Sequence, residues 1–156
     1  MMRTKALLVV LLLLIARTSV MGQSASETLK YINEIVNNEA SQVTKMQGQK
    51  LIWKVSTDGL LTVKLIHRDG YTLDTRAFYL KSLCNNMSCT EIESVPDYGS
   101  DRPPVIFLRI KSDSGKDLRI TMADEASANR AKNAIFHLVT LAKANKAYKG
   151  KDPFDY

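Results

Sequence analysis

Groups that usually carry chemistry are scarce in this chain. Its 156 residues include two histidines, two cysteines, one tryptophan and four prolines. No G-x-S-x-G, phosphate-binding glycine loop or H-E-x-x-H occurs. The two cysteines, Cys84 and Cys89, are not spaced as C-x-x-C, which argues against a redox site. With only two distant histidines, they also make a poor zinc set. The one apolar run, Ala6–Ala16, is too short to span a bilayer, and no second one follows. Acidic residues are absent from Ala126 to Lys151. There is no internal repeat and no low-complexity tract.

What is present begins with an export signal. Arg3 and Lys5 precede the apolar run Ala6–Ala16, and Thr18–Gln23 is small and polar. That is the plan of a cleavable secretory signal peptide, with cleavage expected after Gly22. No cysteine lies directly after the apolar run, within residues 17–30, so a lipoprotein anchor is not expected. Removing residues 1–22 from 156 leaves 134, enough for one domain with its own core. Arg3, Lys5 and Arg17 leave with the signal, so the formal charge falls from +6 to +3. The basic pI therefore overstates the case for a nucleic-acid partner. In an exported chain, Cys84 and Cys89 read as a disulfide across a tight loop, contributing about 2 kcal/mol.

The rest falls into an N-terminal helix with linker (23–48), a β domain with a closing helix (49–148) and a tail (149–156). Ser24-Ala25-Ser26-Glu27 fits a capping box. It is followed by a narrow apolar stripe of Leu29, Ile32 and Val36, with Tyr31 and Ile35 placed off it. Strands follow in alternating patterns: Leu51, Trp53 and Val55, then Leu61, Val63 and Leu65. Thr57-Asp58-Gly59 and Arg68-Asp69-Gly70 supply hairpin turns. A third strand is expected from Tyr71 to about Leu83, with a break near Asp74; Arg76 there shares the parity of Phe78 and Leu80. Thr90–Val95 reads as an edge strand, Pro96–Pro104 as a loop, Val105–Ser112 as the strongest strand and Leu118–Met122 as the sixth. Asp124 is the expected N-cap of a long closing helix over Ala123–Tyr148, whose apolar face carries Ala131, Ile135, Leu138 and Ala142. The fold class is thus α+β: a strongly bent antiparallel sheet or partly closed barrel of six to seven strands, capped by a C-terminal amphipathic helix, with an N-terminal helix.

This order resembles the pleckstrin-homology-like superfold. The chain also resembles small secreted Bacteroidetes-type proteins. The shared phrases are Gly22-Gln23 at the signal boundary, the Thr28–Glu34 helix, Ala131–Leu138 in the closing helix and Asp152–Phe154 in the tail. The resemblance implies the PH-like fold. It does not select a function, because that superfold hosts lipid, peptide and protein binders.

Each candidate residue has a plain alternative. His67 ends a strand beside a turn, and His137 flanks the apolar helix face, so structural roles are favoured for both over catalysis. Glu91 and Glu93 share one face of a short strand, where charge protects an edge. Trp53 reads as core. The acid-free run holding Arg130, Lys132, Lys143, Lys146, Lys149 and Lys151 is a candidate dock for an anionic surface, against the alternative of solubilising charge. On a helical wheel Phe136 falls beside Lys132 and Lys143, which marks it as a contact residue or as one covered by another element. Asn86-Met87-Ser88 is an N-glycosylation sequon, meaningful only in a eukaryotic host.

The expected protein is an exported, non-enzymatic binding or interaction module of the cell envelope. It is expected to have no cofactor and no metal, with an envelope protein or anionic surface as partner. The binding surface is drawn from Arg130, Lys132, Phe136, Lys143 and Lys146. Rival readings are a small secreted hydrolase or hydrolase inhibitor, and a structural envelope protein. Residence in periplasm or medium is left open.

Overall fold

The computed structural model describes residues 24–40, 44–45, 47–96 and 104–148. Residues 1–22, where a signal peptide is expected, the tail with Phe154, and Lys149 and Lys151 lie outside the described residues, as does most of the Pro96–Pro104 loop.

Helix α1 spans Ala25–Asn38. Its start is the capping box expected from the sequence: Glu27 N donates to Ser24 Oγ at 3.2 Å, and Ser24 N donates to Glu27 Oε2 at 2.7 Å. The buried stripe is broader than Leu29, Ile32 and Val36. It contains Thr28, Ile32, Ile35 and Val36, so Ile35 is a core residue.

Among the described residues six strands follow: β1 (Lys50–Val55), β2 (Leu60–Ile66), β3 (Thr72–Tyr79), β4 (Thr90–Val95), β5 (Val105–Ile110) and β6 (Leu118–Met122). They form two antiparallel sheets, sheet I (β1-β2-β3) and sheet II (β4-β5-β6). Among the described residues no ladder joins the two: where the sequence reads as a strongly bent sheet or partly closed barrel of six to seven strands, the strands pair as two sheets of three. The reason lies at the end of β3. The chain leaves the strand at Leu80–Ser82 in a 3₁₀ turn rather than continuing to Leu83. Leu83 then meets Ser112 in an isolated bridge, which carries the chain across to sheet II. The expected break near Asp74 is a register shift, which leaves Leu73 as an extra residue opposite Leu65 and Ile66.

Helix α2 spans Glu125–Ala144. Asp124 caps it, accepting from Ser127 N at 2.7 Å and Ser127 Oγ at 2.8 Å. It ends earlier than Tyr148 because Asn145 turns the chain: its N–H bonds back to Leu141 and Ala142, and its side-chain oxygen accepts from Ala147 N at 3.0 Å. Tyr148 then packs on Gly59, where a side-chain carbon would meet the ring at 2.6 Å. Gly59 also has a φ of 86°, so the β1–β2 turn needs glycine for conformation and space alike.

The core lies between the sheets and under α2. Trp53, Leu61 and Phe78 come from sheet I, and Leu108, Ile110 and Leu118 from sheet II. Ala128, Ala131, Ile135 and Leu138 of α2 close it. The small residues allow α2 to pack closely against α1, which is its principal neighbour.

Candidate binding cleft

The register of sheet I organises a cleft. Its inward side chains form cross-strand rows: Val55–Leu61–Phe78, Trp53–Val63–Arg76 and Leu51–Leu65–Asp74. The first row belongs to the core. Along the strands the burial weakens, and the third row is only partly buried. The same apolar surface therefore begins as core and ends as the floor of an open cleft of about 290 Å³.

Leu51, Val63 and Leu65 supply the floor, with Phe107 from β5. The opposite wall is Leu118, Arg119, Ile120 and Thr121, four consecutive residues of β6. Successive strand residues point to opposite faces, so such a run places the cleft along the edge of β6. Thr44 and Gln49 complete the rim, and Thr44 Oγ1 lies 3.2 Å from Thr121 Oγ1.

Three charges stand at the mouth. Arg76 Nε donates to Asp74 Oδ2 at 2.8 Å, two residues along the same strand. Arg119 is exposed and has no ion-pair partner among the described residues. The cleft thus joins an apolar floor to a net positive rim. A second hollow, of about 570 Å³, lies beyond Arg76 and is lined by Thr75–Phe78 with Lys116 and Asp117.

The residues singled out in the sequence lie outside this cleft. Arg130 Nε donates to Glu39 Oε2 at 3.2 Å, tying α2 to the end of α1. Its hydrogen bond to Arg130 is the main cause holding the Glu39 carboxyl below its ordinary value. Lys132 is buried, and its Nζ donates to Asn129 Oδ1 at 2.6 Å. Phe136 is partly buried and packs against the core. Lys143 is exposed and donates to Asn85 Oδ1 at 3.0 Å, while Lys146 is exposed. Cys84 and Cys89 are paired as a disulfide, with Cα atoms 6.2 Å apart.

His67 stacks on Tyr71, with 4.7 Å between ring centroids, and its Nδ1 accepts from Asp69 N at 3.3 Å. His137 lines a shallow hollow between the helices with Thr28, Tyr31 and Arg130. Glu91 is held by Lys111 at 3.3 Å and Arg109 at 3.2 Å, and Arg109 also reaches Asp117 at 2.6 Å. Hydrogen bonding to Lys111, ahead of Arg109, keeps the Glu91 carboxyl below its usual range. Among the described residues no cluster of three or more histidine, cysteine or acidic side chains is arranged to hold a metal ion.

Sequence reasoning missed Arg119 and the cleft. The available signal was Arg76 together with Asp74: charged side chains on the core-facing parity of a strand mark where that face stops being core. The chain matches no protein-family model, no curated protein and no solved structure.

Proposed function

We propose that the protein is an exported, non-enzymatic binding module of the cell envelope, and that the cleft between its sheets takes a small amphipathic ligand with an anionic head. In this reading the two sheets with α2 are a pleckstrin-homology-like, partly closed barrel, and the cleft is its unclosed end. The observation that carries the proposal is the continuous inner face of sheet I. It runs from core to open apolar floor and ends beside Arg119, a cation without a partner among the described residues. A partly uncovered apolar floor of this kind is suited to being covered by a ligand. A few polar groups on an apolar pocket fix orientation and charge preference.

Decanoate, with decanol as its uncharged counterpart, is a suitable probe pair in calorimetric titration. Decanoate is expected to bind more tightly than decanol. Arg119→Gln is expected to cut decanoate affinity roughly tenfold to a hundredfold, the scale of a charge-assisted hydrogen bond, and to leave decanol unchanged. Leu65→Trp should fill the floor and abolish both. Failure of both probes to bind, or binding that survives Leu65→Trp, overturns the assignment of the cleft.

A further inference from the structure

The other side of sheet I carries a different surface. Its outward rows are Lys50–Ile66–Thr72, Ile52–Lys64–Thr75 and Lys54–Thr62–Ala77. These nine side chains include three lysines and three threonines, and no carboxylate. Lys50, Lys54 and Lys64 are all exposed. None has an ion-pair partner among the described residues.

At about 3.3 Å per residue, Lys50 and Lys54 stand roughly 13 Å apart along β1. Lys64 lies on the neighbouring strand between them, opposite Ile52. The cations therefore run in a zigzag along the strand axis, with threonine hydroxyls beside them on β2 and β3. This geometry matches a linear, hydrated chain bearing repeated anions. It suits a bilayer less well. The protruding apolar side chains of this hairpin, Tyr71 and Leu73, lie at its tip outside the nine positions, and Ile52 and Ile66 are partly buried. It suits nucleic acid less well too, since the nine positions include no aromatic ring on which a base could stack.

We infer that the outward face of sheet I binds an acidic polysaccharide, through Lys50, Lys54 and Lys64. This surface is the reverse of the face that floors the cleft, so the two assignments stand or fall separately.

The test uses the mature chain with dextran sulfate and polygalacturonate, and with phosphatidylglycerol vesicles in parallel. Binding to at least one polysaccharide is expected, weakening as salt rises. Lys50→Gln with Lys64→Gln is expected to weaken it roughly twenty-five-fold, at about fivefold per lysine, and to flatten the salt dependence. Both side chains are exposed, so the fold should survive; an unchanged far-ultraviolet spectrum and urea midpoint check this. Lys143→Gln with Lys146→Gln is expected to change little. The inference is overturned by no binding at low salt, or by a loss in the α2 variant equal to that in the sheet variant. It is also overturned by stronger binding to vesicles that Leu73→Ser removes, which would assign the surface to lipid.

Discussion

At the scale of single residues, Thr28 and Trp53 each bury a polar atom that has no hydrogen-bond partner among the described residues: Thr28 Oγ1 and Trp53 Nε1. Thr28 is 1% exposed and lies on the core stripe of α1. A buried hydroxyl without a partner costs about 1–3 kcal/mol relative to its hydrated state. Valine has nearly the same shape and no hydroxyl. Thr28→Val is therefore expected to raise stability by about 1 kcal/mol, visible as a higher urea midpoint with an unchanged slope. A lower midpoint would mean that the hydroxyl does find a partner. Lys132 illustrates a related point. Its charge reads as surface in the sequence, yet the side chain is 6% exposed, with its stem covered and its ammonium on Asn129.

At the scale of elements, α1 protects a sheet edge. Asn33 and Asn37 are one helical turn apart and face β1. Asn33 Oδ1 accepts from Trp53 N at 2.9 Å, and its Nδ2 donates to Trp53 O at 3.1 Å. Asn37 treats Leu51 in the same way, with both bonds at 2.8 Å. The two amides thus imitate a neighbouring strand and satisfy alternate backbone groups of β1. Such an edge, left bare, invites pairing with another chain. Asn33→Ala with Asn37→Ala is expected to cost about 2–4 kcal/mol, at about 1 kcal/mol per hydrogen bond. It should also produce concentration-dependent self-association in size-exclusion chromatography. A variant that stays monomeric and loses less than about 0.5 kcal/mol would show that α1 is held by its apolar stripe alone.

At the scale of the whole molecule, acid should loosen the fold at identifiable joints. Glu39 joins the end of α1 to α2 through Arg130, whose hydrogen bond is the main cause of its lowered pKa. Asp124, the cap of α2, is lowered chiefly by the backbone N–H of Ser127. Glu91 is lowered by Lys111 and then Arg109 on sheet II. Each carboxyl titrates lower in the folded chain than in the unfolded one. Their stabilisation is therefore complete above the unfolded values of about 3.9 for Asp and 4.3 for Glu. It is lost as the pH falls through the lower folded values. Urea midpoints are expected to be level between pH 7 and 5 and to fall toward pH 3. Glu39→Gln should remove part of that fall. The share is small, at most about 1 kcal/mol, because the Glu39 and Arg130 side chains are 32% and 48% exposed and solvent screens the pair.

Local features were legible in the chain itself. The capping box at Ser24, the cap at Asp124, the turn at Gly59 and the alternation in β1, β2, β5 and β6 depend on neighbours a few residues away, and the sequence states those directly. Tertiary contacts decided the rest. The division into two sheets follows from where the chain turns after β3. The Asn33 and Asn37 bonds reach 20 and 14 residues along the chain to β1. Of the lysines expected to make a surface on the closing helix, Lys132 is buried, while Lys143 and Lys146 are exposed. Lys50 and Lys54 lie on β1 and Lys64 on β2, and only the register between the two strands places them together. Arg76 and Arg119 meet at one cleft for the same reason: a strand pattern fixes which face a side chain takes, but pairing and packing fix what stands opposite it.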